Sequence, residues 1–332
     1  MAEYNIAAAR KEMERWHWWG IPTFFRCPWR EDPAQSDIAL LGVPHSSGNG
    51  ATQRDQHLGP RAVRVVSALF RRDHLPFGIV PWDICRISDA GDVPMPEAMN
   101  NDVTVGHIEA YAKLFDRAGT RVVAMGGDHS ITGPLVKAVS GPGSNLSGGR
   151  KVALVQFDAH TDTFSHIPHW LGNVRSAAHW ASYLVEEGHV DSGRSTQIGI
   201  RPNVGSPQSL GVSAELGYRI IGMDELDEIG TNGTIEALRE RIGDAPVYIT
   251  FDLDALDPAD APGVAAVEPG SFGIRVGQAV KILQGLRGLD IVGADVVCFV
   301  PTKDNPNQIT AMNANAIMFE LVSLIADRIG RS

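Results

Sequence analysis

Short runs of Val, Ile, Leu and Phe recur along this chain, and they are continuous rather than alternating: DIALLGV at 37–43, RVVAM from 121, KVALVQF from 151, TQIGI from 196, YRIIGM from 218, PVYITF from 246 and IVGADVVCFV from 291. A strand that is apolar on both faces has to be covered on both faces, which is the condition of a parallel sheet between two helical layers. Helix-like segments between the runs supply those layers, so the pattern predicts a single three-layer α/β domain. The 332 residues, 43% of them hydrophobic, are enough for one large core. Residues 1–36 read differently. Trp16, Trp18, Trp19 and Trp29, with Pro22, Phe24 and Phe25, form an aromatic N-terminal arm ahead of a domain at 37–332. Such an arm covers the domain's own edge, an oligomer contact or the site. Pro-, Gly- and Ser-rich stretches at 140–149 and 202–212 read as surface loops.

The formal charge of -10 is spread along the chain, and no basic run exceeds a pair such as Arg71 and Arg72. That balance disfavours nucleic acid or an anionic membrane as partner. No apolar stretch reads as long enough to span a bilayer, and the N-terminus lacks a hydrophobic segment followed by a cleavage site. Cys27, Cys85 and Cys298 are too scattered for a disulfide framework. A cytoplasmic protein is the expectation.

Three polar motifs follow apolar runs directly: GGDHS at 126–130, FDAHTD at 157–162 and FDLDA at 251–255. In open α/β sheets ligands gather outside the carboxyl ends of the strands, so these segments can converge. On an extended chain, residues two apart share a face, which would let Asp158, His160 and Asp162 project together, and Asp252 with Asp254. Four such carboxylates repel one another unless cations compensate them, and two divalent metals bridged by Asp158 and Asp252 meet that need. A single strand-terminal Asp is ordinarily a helix cap. That reading fails for three His/Asp motifs at three strand ends. Oxygen and imidazole donors without cysteine point to Mn, Ni, Co or Fe before a structural zinc.

GGDHS, DAHTD and FDLDALDPADAPG, in this order, resemble the ureohydrolase superfamily of arginases, agmatinases and related guanidino hydrolases. The likeness runs from GIPTFFRCP at 20–28 through GVPHSSG at 42–48 and LGPRAVR at 58–64 to the final helix. It implies a three-layer α/β/α fold with a central eight-stranded parallel sheet. It also implies a binuclear site in which His129, Asp158, Asp162 and Asp252 hold one ion and Asp158, His160, Asp252 and Asp254 the other. The implied reaction is attack of a metal-bridging hydroxide on a guanidinium carbon, with Asp162 moving a proton to the leaving nitrogen. Trimers or hexamers are implied as well.

The chain departs from the family in three places. Relatives carry a Glu after the last strand to receive the guanidinium, in a D-V-V-E-x-x-P pattern; here that position is Cys298, either a small buried apolar residue or part of the substrate wall. A family His-Gly pair is replaced by SHIPHWLGNVRSAAHWAS, in which His166, His169 and His179 are candidates and His179 is preferred as catalytic. At 263–268, GVAAVE replaces a Gly-Thr-Gly-Thr-Pro run. His169, Trp170, Glu268 and Cys298 are therefore the candidate substrate contacts, and the arm with Trp170 and Trp180 could enclose a small cation by facing it with rings. WHWWGIPTFFRCPW and GNVRSAAHW resemble the branch of nickel-dependent guanidine and metformin hydrolases, some of which pair non-identical subunits. The expectation is a hydrolase with two divalent ions, nickel or alternatively manganese. It would cleave guanidine to urea plus ammonia, or metformin to guanylurea plus dimethylamine. The alternatives are an agmatinase or guanidinobutyrase type, and a subunit of a hetero-oligomer that is inactive without its partner.

Overall fold

The computed structural model describes residues 4–49, 55–70, 72–164, 175–201, 207–268 and 272–331. Among them eight strands, β1 (Ile38–Val43), β2 (Ile87–Asp92), β3 (Arg121–Gly126), β4 (Ala153–Phe157), β5 (Thr196–Ile200), β6 (Arg219–Gly222), β7 (Val247–Asp252) and β8 (Ile291–Val297), make one sheet. Their order is β2-β1-β3-β8-β7-β4-β5-β6, and every pairing is parallel. Alternate residues of each strand feed two cores. Ile38, Leu40, Phe157 and Phe251 pack toward the helices Gly59–Ser67, Val276–Gln284 and Ile309–Gly330. Ala39, Leu41, Leu154 and Tyr248 pack toward Asn101–Ala118, Thr132–Ala138 and Trp180–Glu186. The continuous apolar runs are thus consumed on both faces, and the α/β/α layering and eight-stranded parallel sheet stand as expected.

The strand with no apolar run in the sequence is β2, ISDAGD. It sits at the sheet edge, yet Asp89 is buried. Arg64 makes this possible: its Nε and Nη2 donate to Asp89 at 2.8 and 3.0 Å, and its Nη1 donates to Asp92 at 2.7 Å. The arm engages the same pair, since the Phe24 N–H donates to Asp89 at 2.8 Å and the Arg64 guanidinium lies 4.3 Å from the Phe24 ring. Phe24 and Phe25 are buried, whereas Trp16, Trp18, Trp19 and Trp29 are exposed and the helix Ile6–Met13 buries none of its residues.

Two sequence expectations need correction. Residues 207–212 are not loop: a proline, favoured at a first helical position, opens the helix Pro207–Glu215, while 202–206 lie outside the described residues. The helix Ile309–Gly330 is, by length and composition, long and apolar enough to cross a bilayer, although most of it is buried in the fold. Its length went unread because Glu320 and Asp327 interrupt the apolar pattern; Asp327 pairs with Arg287 at 2.6 Å and Glu320 with His74 at 2.9 Å.

Removing one partner of a buried, hydrogen-bonded ion pair strands the other, at a typical cost of about 3–5 kcal/mol. Arg64→Ala should lower the unfolding free energy in urea by roughly that amount; a loss below about 1 kcal/mol would mean that backbone pairing alone holds β2.

Candidate metal centre

The four central strands of the sheet, β3, β8, β7 and β4, lie side by side, and three of them, β3, β7 and β4, deliver a His or Asp at or just beyond their ends. His129 opens a 3-10 turn after β3, Asp158 follows β4, and Asp252 ends β7 with Asp254 in the turn Leu253–Ala255. The sharing of a face by extended residues two apart is not how they converge. Asp158 accepts the N–H of His160 at 2.7 Å, and Asp252 accepts that of Asp254 at 2.9 Å, so both segments fold into side-chain-capped turns at once. Asp162 adopts left-handed backbone geometry with φ 50°. Turns, not extension, bring the six residues together.

Two clusters result, and one carboxylate belongs to both. The Nδ1 of His129 lies 3.1 Å from Asp158 Oδ2, 2.9 Å from Asp162 Oδ2 and 3.2 Å from Asp252 Oδ2. The Nδ1 of His160 lies 3.3 Å from Asp158 Oδ1 and 3.1 Å from Asp254 Oδ2. Asp158 thus gives one oxygen to each histidine. Asp252 is seen on the His129 side, its Oδ1 occupied by the Asp254 N–H.

Despite three oxygens so close, the buried His129 Nδ1 makes no well-directed hydrogen bond to any of them. Donors at right angles, each about 2.1 Å from one ion, stand roughly 3 Å apart, which is the spacing found. Electrostatics agree. Burial opposes charge on His129, but attraction to Asp158, Asp162 and Asp252 raises its pKa well above the usual value. Burial, then the charges of Asp254 and Asp158, push the Asp252 carboxyl up to about 8. Protons are thereby held where divalent cations would sit, and the residues fit a binuclear site.

Outer partners fix each histidine with Nδ1 facing the cluster. His129 Nε2 is 2.9 Å from Thr250 Oγ1, which donates to Asp295 at 2.6 Å, and Asp295 also accepts from the Tyr248 hydroxyl at 2.8 Å. His160 Nε2 is 3.2 Å from Glu268 Oε1. Such acceptors behind a ligating imidazole hold its tautomer and ring plane. Gln156 donates to Asp158 at 2.8 Å. Thr250 sits two residues before Asp252 on the same strand face, which is the one signal that could have found it in the sequence. Gln156 stands in the same relation to Asp158, whereas nothing comparable marks Asp295.

The substrate candidates fall in several places. Cys298 lies one residue beyond β8 with φ 69°, buried, and its sulfur, a His129 nitrogen and an Asp252 oxygen are within 4.8 Å of one another. Burial, then the charges of Asp252 and Asp254, raise its thiol pKa well above the usual value. Glu268 reaches the cluster through His160. Trp180, expected as an open ring face, is fully buried: its Nε1–H donates to Asp162 at 2.7 Å and its ring packs against His129, tilted by 37° with centroids 4.6 Å apart, so it supports the centre and faces no cavity. His179, also buried, precedes the same helix with Nδ1 2.6 Å from Ser176 Oγ. His166, His169 and Trp170 lie outside the described residues.

The chain matches the arginase family over residues 36–323. It is 39% identical over 317 residues to a guanidinopropionase of Pseudomonas aeruginosa, an alignment covering 94% of each chain. A guanidinobutyrase of the same organism is 31% identical over 314 residues, 92% of each chain. The solved structure of the proclavaminate amidino hydrolase from Streptomyces clavuligerus superposes with a TM-score of 0.86 at 29% identity, covering 94% of this chain and 99% of that one. The protein belongs to the arginase family of metal-dependent amidinohydrolases, whose members use a binuclear divalent site.

A ligand that binds only the folded state stabilises it by about 2.7 kcal/mol at a hundred times its Kd. Adding Mn2+ or Ni2+ to metal-stripped protein should therefore raise its melting temperature, and Asp158→Ala, which removes one oxygen from each cluster, should abolish the rise. An undiminished rise in that variant would refute the shared-carboxylate arrangement.

Proposed function

We propose that this chain hydrolyses a C–N bond of a guanidino compound, and the observation that carries the reading is the carboxylate of Asp158 divided between two histidine-centred clusters. Two divalent ions bound there, nickel in our reading with manganese as the alternative, would supply a water acidic enough to act as hydroxide at neutral pH. The side chains do the rest. His129, Asp158, Asp162 and Asp252 form one coordination set, and Asp158, His160, Asp252 and Asp254 the other. Asp162, held by Trp180, carries the proton released by the attacking water to the leaving nitrogen, with His179 as a second proton carrier. Water adds to the guanidinium carbon, the C–N bond breaks, and the nitrogen leaves as amine or ammonia beside a urea.

Similarity to guanidinopropionase and guanidinobutyrase over nearly the whole chain supports a guanidino group borne on a short charged tail, an activity of the agmatinase or guanidinobutyrase type. One observation favours a second reading. The group at the end of β8 is a buried thiol whose single sulfur cannot grip a guanidinium bidentately, which suits a compact substrate such as guanidine or an N-alkylated biguanide like metformin. In either case a trimer or hexamer, of identical or paired subunits, is the assembly we propose.

Metal analysis of protein expressed with nickel or manganese, followed by assay on 3-guanidinopropionate, 4-guanidinobutyrate, agmatine, guanidine and metformin, tests both. We expect about two ions per chain, as in other two-metal hydrolases, and Asp254→Ala should abolish turnover with the fold intact. Turnover of tailed substrates alone, kept or improved in Cys298→Glu, would decide for the first reading. Turnover of guanidine or metformin, lost in Cys298→Glu, would decide for the second. Bound metal without any turnover would place this chain in a hetero-oligomer, and turnover surviving Asp254→Ala would refute the site.

A further inference from the structure

Arg201, the residue after β5, is 1% exposed, and its guanidinium hydrogen bonds go to three consecutive backbone carbonyls. Its Nη1 donates to Asp254 O at 2.7 Å, and its Nη2 donates to Ala255 O at 3.1 Å and Leu256 O at 2.7 Å. A buried guanidinium is costly to desolvate, and carbonyl dipoles repay less than a carboxylate would. Its Nε even stays without a hydrogen-bond partner. An Arg that only filled a core would be better replaced by an apolar side chain. The arrangement is built nevertheless: at Gly273 a Cβ would stand 2.1 Å from Arg201 Nη2 and 2.4 Å from Asp257 N, so only glycine leaves room for the guanidinium against the turn.

The place of this contact gives it meaning. The carbonyls belong to the turn that carries Asp252 and Asp254. The backbone N–H of Arg201 donates at 3.1 Å to Ala159 O, in the segment that carries Asp158 and His160. Those two segments meet again where the Ala159 N–H donates to Asp254 Oδ1 at 3.1 Å. One residue therefore ties together the two loops that supply five of the six coordinating side chains. The guanidinium also brings positive charge beside a cluster of carboxylates without spending any of their oxygens, because it binds the backbone and leaves the ligands free.

We propose that Arg201 is a positioning residue of the metal centre, setting the separation of the Asp158–His160 and Asp252–Asp254 loops through the backbone carbonyls of residues 254–256. This rests on the metal reading given above. Displacing the turn would move Asp254 away from His160, and the second cluster would lose its geometry before the fold lost its stability.

The test is calorimetric titration of Mn2+ into metal-stripped wild type, Arg201→Lys and Arg201→Met, with melting temperatures measured before and after loading. Losing a partner outside the coordination sphere typically costs about 10–100-fold in metal affinity. We expect a loss in that range for Arg201→Met and a smaller one for Arg201→Lys, with the metal-free melting temperature of the Lys variant near that of wild type. kcat should fall more than KM rises. Affinity within about twofold of wild type in both variants would overturn the role, since it would lie well outside that range. So would equal destabilisation with and without metal, or failure of both variants to fold, because Arg201 would then be merely structural. No metal uptake by wild type would overturn the metal reading itself, whereas uptake unchanged in the variants overturns only the part assigned to Arg201.

Discussion

Mutual repulsion among Asp158, Asp162, Asp252 and Asp254 is the constraint around which this molecule is arranged. All four are buried where strands of a parallel sheet end. Such a cluster can persist only if positive charge enters it, as protons on His129 and Asp252 or as metal ions. The sheet makes the crowding possible by pairing β4 with β7, and the capped turns after the two strands make it close. Everything behind the cluster then serves to keep its donors aimed: Thr250 and Asp295 behind His129, Glu268 behind His160, Trp180 on Asp162.

The support is unequal on the two sides. His129 is backed by a buried chain of hydroxyls ending in Asp295, a residue of the sheet itself. His160 is backed by Glu268, a half-buried carboxylate on the segment that replaces the family's Gly-Thr-Gly-Thr-Pro run. One cluster is therefore anchored in the buried sheet and the other leans on a half-buried wall. Glu268, expected as a substrate contact, is thus in direct touch with a candidate ligand, and any substrate that engaged it would also act on His160.

Much of this was legible in residues alone, for identifiable reasons. Continuous apolar runs announce strands covered on both faces, and seven of the eight strands carry one; β2 does not, because Asp89 and Asp92 stand where Arg64 can neutralise them from a distant helix. The candidate ligands were readable because each sits within two residues of a strand end or in a compact motif. Their geometry was not. Extended alternation pointed to residues that do cluster, but by a wrong route, since the backbone turns at once and Asp162 enters left-handed space. Partners such as Trp180, Asp295 and Arg201 escaped because nothing local marks a tryptophan as a donor to a carboxylate 18 residues away, or an arginine as a clasp on carbonyls more than fifty residues distant.

The backbone at Cys298 bears on how such a protein can change its chemistry over time. Its left-handed conformation is held by its own N–H, which donates to Gly127 O at 2.8 Å, and by the neighbouring Val300 N–H, which donates to Gly263 O at 2.8 Å. Neither bond involves the side chain. The site thus separates into a carboxylate cluster, in which Asp158 cannot be altered without harming both halves, and a side chain at 298 that takes no part in the bonds holding the main chain there. The side chain beside His129 and Asp252 can therefore be changed without breaking the main-chain hydrogen bonds around it.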